Sequence, residues 1–285
     1  MTGGPGAHSV RITTLNLLHD QIRNVLPAWT VRRPRAVATL RAIAPDVVCL
    51  QEVSARQLAD LGADLPEFEI VAGAAGGPIR LAPWFAPLAP LGRMWWGDYF
   101  DHGEWCPILL RRGVVEPLAI GWFSIELPGK RVWSAATPHG VTWARVRLVR
   151  TELEVWIANT HLGLLPWRAA DNAKRLIAAL DREWNGSPQF LAGDFNARPE
   201  GPVLARLQSE RGPHTPSFRD LWKDATERRG PAGSYDTLPW LFGCPRIDYV
   251  LARPAMTVLR AEITEFPGGA ARASDHRPVT VDVVI

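Results

Sequence analysis

Lysine is nearly missing from this chain. Only Lys130, Lys174 and Lys223 are lysines among 32 basic residues, and arginine supplies the rest. No polybasic run is present, which argues against strong electrostatic attachment to a membrane surface. Arginine suits bidentate phosphate contacts, and genome composition gives the same bias. Cysteine is scarce too. Cys49, Cys106 and Cys244 are odd in number and have no CxxC spacing, so nothing asks for an oxidising compartment. Cys49 and Cys106 lie in or beside apolar runs and read as core fillers. No apolar run is long enough to span a bilayer, and residues 1–9 contain no apolar signal-peptide core. The expectation is therefore a cytoplasmic protein. The net charge of +3 is compatible with an anionic substrate and too small to establish one. No repeat and no low-complexity linker divides the chain. Residues 1–9 are expected to be a disordered tail and 10–285 a single domain, working as a monomer.

What is present is apolar. The 285 residues are 47% hydrophobic, enough to bury a large core. Val10 to Leu15 reads as a strand that delivers Asn16. Arg35 to Ile43 has helical spacing, with Pro34 suited to a first turn. Asp46 to Leu50 is a buried strand ending in Gln51-Glu52, and Ser54 can cap a helix through about Leu61. Glu69 to Ala72 and Trp105 to Arg111 read as strands. Val114 to Phe123, Arg131 to Ser134, Val141 to Val149 and Leu153 to Thr160 follow as an antiparallel succession. Arg168 to Trp184 has a helical stripe at Leu176, Ile177 and Leu180. Gln189 to Gly193 is a core strand, Pro202 to Leu207 a short helix, and 212–243 mostly loop. Ile247 to Leu251 holds Asp248 within a strand. Val258 to Phe266 and Val279 to Ile285 close the chain. Strand runs with few helices predict an α/β (α+β) fold of two packed sheets with helices outside.

The run Gly193-Asp194-Phe195-Asn196 is the focus of the chain. Alternation puts Asp194 and Asn196 on one side of an extended strand end. Gly193 lets another backbone or a ligand come close. A turn or cap role for the two polar residues would explain this stretch taken alone. Further polar groups recur at the ends of apolar runs: Asn16, Glu52, Glu104, His161, Asp248, Asp275 and His276. Converging on one rim, they would make an acidic pocket with two imidazoles. Clustered carboxylates repel unless a cation sits among them. Carboxylate and amide oxygens without thiolate favour Mg²⁺, with Mn²⁺ as a substitute, over Zn²⁺.

Six motifs in order carry a resemblance: TLN at 14–16, QE at 51–52, THL at 160–162, GDFN at 193–196, IDY at 247–249 and SDHRPV at 274–279. The chain resembles the endonuclease/exonuclease/phosphatase superfamily, the metal-dependent phosphoesterases related to pancreatic-type deoxyribonuclease, over nearly its whole length. The resemblance implies a four-layer sandwich, two mostly antiparallel sheets packed face to face with helices on both outer faces, and divalent-metal hydrolysis of phosphoesters. It implies Glu52 as the main metal ligand, Asn16 near metal and phosphate, and Asp275 as a second acid near the metal. Asp194 matches the residue that activates the attacking water, with Asn196 contacting phosphate or water. His276 matches a phosphate-side histidine fixed by Asp248. His161 matches a second one, with Glu104 as its looser-matched carboxylate partner.

Position 18 is leucine where some DNA-repair members carry an acid, which argues against an abasic-site endonuclease. His19 and Asp20 suit a turn better than the site. Arg145 and Arg147 suit cross-strand pairs as well as a ligand. His8, His102, His139 and His214 lie in loops without matching partners. The aromatic-rich loop at 83–105 reads as a plug over one end of the sandwich, a base-stacking surface or a lipid contact. The expected activity is hydrolysis of a phosphodiester in nucleic acid or a nucleotide. The alternative substrates are a phospholipid, sphingomyelin or an inositol phosphate, and a non-catalytic binding scaffold is a third reading.

Overall fold

In the computed structural model, the described residues are 9–22, 25–74, 103–126, 139–210, 215–236, 243–266 and 272–285. The expected strand at 131–134, nearly all of the aromatic loop and most of the N-terminal tail lie outside them.

Among the described residues, thirteen strands form two sheets. The first contains β1 (Ser9–Asn16), β2 (Val47–Gln51), β3 (Phe68–Val71), β4 (Ile108–Arg111), β10 (Glu227–Arg229), β12 (Thr257–Ile263) and β13 (Val279–Val284), in the order β10-β12-β13-β1-β2-β4-β3. The second contains β5 (Val115–Ser124), β6 (Gly140–Leu148), β7 (Leu153–His161), β8 (Gln189–Asp194), β9 (Arg219–Asp220) and β11 (Asp248–Arg253), in the order β5-β6-β7-β8-β11-β9. The sheets are mixed, with β1–β2, β7–β8 and β10–β12 parallel.

Three apolar clusters separate four layers. Val47, Cys49 and Ile108 of the first sheet meet Val146, Ile157, Phe190 and Val250 of the second between the sheets. Val48 and Leu50, on the opposite face of β2, pack with Val37 and Leu40 of helix α1 (Trp29–Ile43) and Leu61 of α2 (Ala55–Asp64). Leu191 and Leu251 pack under α3 (Pro166–Glu183) and α4 (Pro202–Leu207), through Leu176, Leu180 and Leu204. Strands covered on both faces carry unbroken apolar runs, which is why β2 has no polar alternation.

Several boundaries differ from expectation. Helix α1 begins six residues before Arg35, and Pro34 lies inside it. Proline there loses one backbone hydrogen bond. Burial of Trp29 and Arg32 outweighs that loss, and the indole donates to Asp60 at 2.8 Å. The expected loop at 212–243 contains β9, the one-turn helix α5 (Leu221–Asp224) and β10. Elements of two to four residues leave no readable period. Asp248 belongs to β11, as expected, and is its first residue.

Candidate active site

The sheet registers build one polar rim. Asn16 ends β1 opposite Gln51, the last residue of parallel β2. His161 ends β7 opposite Asp194, the last residue of parallel β8. β11 runs antiparallel to β8, so its first residue, Asp248, faces Asp194 across the ladder. Ser274-Asp275-His276 immediately precedes β13, which runs antiparallel to β1 and therefore begins at the same end. All nine expected site residues fall on or beside this rim.

Local backbone geometry sharpens the turns there. Leu18, Glu52 and Asn196 have φ of 56°, 53° and 48°. Asparagine tolerates this region, whereas leucine and glutamate are strained in it. Asn196 is therefore not on the extended alternation expected of it. Its N–H donates to Asp194 Oδ1 at 2.9 Å, so Asp194 also serves the turn. Gly193 is required by close approach, since a Cβ there would lie 1.9 Å from the Thr160 carbonyl oxygen.

Asn16 is fully buried, and its amide donates to Glu52 Oε1 at 2.8 Å and Asp194 Oδ2 at 3.0 Å. Two histidines flank Asp194. His161 bonds Glu104 Oε1 through Nδ1 at 2.8 Å, and His276 bonds Asp248 Oδ2 through Nδ1 at 2.9 Å. Their Nε2 atoms stand 3.6 and 3.7 Å from Asp194 Oδ2, beyond good hydrogen-bond distance. Asn196 Nδ2 reaches His161 Nε2 at 3.0 Å and donates to the Leu162 carbonyl at 2.8 Å. With Nδ1–H given to Glu104, neutral His161 accepts from Asn196. Once protonated at Nε2, it can face that residue only through the amide oxygen, or turn to another acceptor.

The charges are lopsided. Among the described residues, Glu52, Glu104, Asp194, Asp248 and Asp275 face two imidazoles and Arg32. Burial raises Glu52 to about 7; His161 opposes the shift, while Glu104 and Asp275 add to it. Burial and then Asp248 also raise Asp194, against both histidines and Asn16. Burial works against protonated His161, yet Glu104 and then Asp194 lift it to about 10. His276 is likewise lifted well above its ordinary value against burial, by Asp248 and Asp194.

The residues present fit a hard divalent cation. Glu52, Glu104 and His161 bring donor atoms within 4.8 Å of one another, as do Asp194, Asp248 and His276. Asp248 Oδ1 is buried without a hydrogen-bond partner among the described residues. The cluster is rich in carboxylate and amide oxygen, and nearby Cys106 is held as the thiol, its ionisation opposed by burial and by Glu104.

Supporting residues extend beyond those singled out in the sequence. Ser234 Oγ donates to Asp248 Oδ2 at 2.6 Å, and Ser274 Oγ donates to the Asn16 carbonyl at 2.6 Å. Tyr235 lies against the His276 ring at 4.8 Å between centroids. His139, expected in an isolated loop, is buried edge-on to His161 at 5.8 Å. Burial and the neighbouring His161 lower it to about 4, keeping it neutral. Arg32 is buried below the rim and donates to the carbonyls of Leu17, Leu18 and Ala273 at 2.7–2.8 Å. Ser274 was visible inside the SDH motif. The others carry no local sequence signal, because their partners are remote in the chain. His19 Nδ1 accepts from Gln21 N–H at 3.3 Å, the expected turn role, while its own N–H approaches Glu52 at 3.4 Å. Gln51 of the QE motif is structural: its amide spans the sheets to Asn159 Oδ1 at 2.7 Å.

The model of the Endonuclease/Exonuclease/phosphatase family matches residues 13–276. No curated protein matches the chain. Among solved structures, a Bacteroides vulgatus endonuclease/exonuclease/phosphatase is 22% identical, covering 98% of this chain and 99% of its own, with a TM-score of 0.79. The Bacteroides thetaiotaomicron mannosyl-6-phosphatase Bt3783 is 20% identical, covering 97% and 100%, at 0.75. Danio rerio TDP2 complexed with single-strand DNA product is 18% identical, covering 97% and 99%, at 0.70. These likenesses are of fold.

Proposed function

The chain belongs to the endonuclease/exonuclease/phosphatase family, and on that premise we propose that it is a divalent-metal-dependent hydrolase of phosphodiesters, with nucleic acid or a nucleotide as substrate. The observation that carries this reading is the pair of carboxylate-held histidines converging on Asp194. Glu52, Asn16 and Asp275 would hold the ion, Mg²⁺ by preference with Mn²⁺ as substitute. When bound, the ion supplies charge for the phosphoryl oxygens and offsets the carboxylate excess.

Asp194 is the general base. Its burial raises its basicity toward neutrality, where a base works best. Asn16 holds Oδ2 from one side, leaving that oxygen to take a proton from water. His276 and His161 donate Nε2–H to phosphoryl oxygens, gaining strength as negative charge develops. Asp248 and Glu104 fix their ring orientation and keep them protonated. Asn196, its amide beside His161 Nε2, contacts phosphate or water. In-line displacement needs an oriented water and donors on the equatorial oxygens, and these residues supply both functions.

The test is turnover by purified protein with Mg²⁺ or Mn²⁺ on DNA, RNA, a simple diester, a sugar monoester and sphingomyelin, beside Glu52→Ala. Metal-dependent diester cleavage, lost in Glu52→Ala, is expected. Cleavage of the monoester alone would replace the diester reading with that of a phosphatase. No turnover of any ester would leave a binding scaffold.

A further inference from the structure

The turn from the end of β7 into α3 carries two large, exposed apolar side chains: Leu164 is 77% exposed and Trp167 is 67% exposed. Val149 and Leu153 make a second, less exposed pair at the β6–β7 turn, at the opposite end of β7 from His161, and isolated exposed apolar residues need no explanation. Leu164 lies in the short loop between β7 and α3, and Trp167 is the second residue of α3, so the two flank one turn tied directly to the site. Asn196, the residue touching His161, donates to the Leu162 carbonyl at 2.8 Å, and Leu162 N–H donates to the Asp194 carbonyl at 2.9 Å. Leu164 is two residues further on, so its Cα lies within about 7 Å of that of Leu162. The chain then doubles back. A Cβ on Gly163 would meet Arg168 Cβ at 2.9 Å, which brings the residue after Trp167 against the residue before Leu164.

The loop is also held rigid. Gly163 N–H donates to Asn172 Oδ1 at 3.3 Å, Arg168 N–H to the Leu165 carbonyl at 2.9 Å, and Arg168 pairs with Glu126 at 3.0 Å. A fixed loop presents its side chains without an ordering loss on binding. Resting on the phosphodiesterase reading above, we infer that Leu164 and Trp167 form the specificity rim of the site, receiving the nucleobase next to the scissile phosphate. Trp167 supplies a face on which any base can stack. Leu164 covers the ring edge. A lipid surface is a poorer occupant. Even a myristoyl chain gives only marginal membrane binding, and Arg168 is already committed to Glu126.

The test compares kcat/KM on a dinucleotide with that on its abasic counterpart, which keeps the sugar and phosphate. Trp167→Ala is expected to lower the ratio of the two about tenfold, and Leu164→Ala by less, with abasic turnover unchanged. Both positions are exposed, so both variants should fold. Equal losses on both substrates, or no change, would overturn the proposal. So would loss of co-sedimentation with phosphatidylcholine vesicles while dinucleotide turnover stays intact. If wild type turns over neither diester, the functional reading fails by itself. The rim is then judged by calorimetry, where a dinucleotide Kd unchanged in Trp167→Ala would reject it.

Discussion

Two regions of this molecule bury charge, and they do so differently. On the outer side of the second sheet, Arg246 is paired with Asp220 at 2.5 and 3.1 Å, and Arg253 with Asp181 at 2.5 Å and Gln189 at 2.8 Å. Each acid there has its own guanidinium, and the rings of Tyr249 and Phe218 lie under the two arginines. At the rim, among the described residues, five carboxylates share two imidazoles and Arg32. The first arrangement matches each guanidinium with an acid of its own within the fold. The second holds surplus negative charge, which the fold keeps only at an energetic penalty. Burial of charge therefore does not mark the site; the imbalance does, along with the upward shift of Glu52 and Asp194 that follows from it.

Breaking each region should give opposite signatures. Asp194→Asn removes a surplus acid and the base together. We expect kcat to fall by about 10²–10⁴, with the melting temperature unchanged or raised. Near-normal turnover in this variant would remove Asp194 from the chemistry. Arg246→Met leaves Asp220 buried and unpaired, and should destabilise by about 3–5 kcal/mol in urea unfolding. Its activity per folded molecule should hold. Adding Asp220→Leu should recover much of the stability, and failure to do so would show that the pair is not a closed unit.

Glu52→Gln tests the imbalance itself. Glu52 is raised from its ordinary value to about 7, so the folded metal-free protein resists its ionisation. Wild-type stability should then fall as pH rises from about 4.5 through 7, the sign expected for a raised acid. In metal-free protein at pH 8, Glu52→Gln should be more stable by about 1–3 kcal/mol, and equal to wild type near pH 4. Mg²⁺ should raise the wild-type melting temperature more at pH 8 than at pH 5.5, because the ion displaces a proton at the lower pH. In Glu52→Gln that rise should shrink at both. A melting temperature insensitive to Mg²⁺ throughout would dissociate the carboxylate cluster from metal binding.

Much of this contrast was legible in the chain. Apolar runs stopping at Asn16, Glu52, His161 and Asp194 gave the rim, because strands covered on both faces leave only their ends for polar groups. Asp248 was recognised by its motif, but its place opposite Asp194 depends on the β8–β11 register, which no local pattern states. Arg32 was not legible. It lies in the first turn of α1, where a cation looks unremarkable, and its partners are carbonyls at 17, 18 and 273. The positive φ of Glu52 was hidden for the opposite reason: glutamate gives no hint of a conformation that glycine or asparagine would announce. Cooperative long-range partners, rather than weak local signals, separate the missed residues from the found ones.

The smallest expected effect lies within the rim, where the two histidine–carboxylate pairs differ. Asp248 is fully buried and also accepts from Ser234, whereas Glu104 sits on an irregular segment before the isolated Val53–Trp105 bridge. Glu104→Gln should therefore perturb the site without dismantling it. Glu104 heads the groups that raise His161 to about 10, so its loss should bring the imidazole down toward 6.5. A raised histidine contributes stability below its unfolded value and loses it as pH climbs through the folded one. In wild type that contribution should fade between about 6.5 and 10, and in Glu104→Gln it should be reduced below 6.5 as well. For turnover, the variant should match wild type within a few fold at pH 6 and fall about tenfold behind it by pH 9, as Nε2–H is lost. The alkaline limb of kcat against pH would show this directly. If that limb does not move, His161 acts as a neutral acceptor beside Asn196, and the charge on the phosphate side is carried by His276 alone.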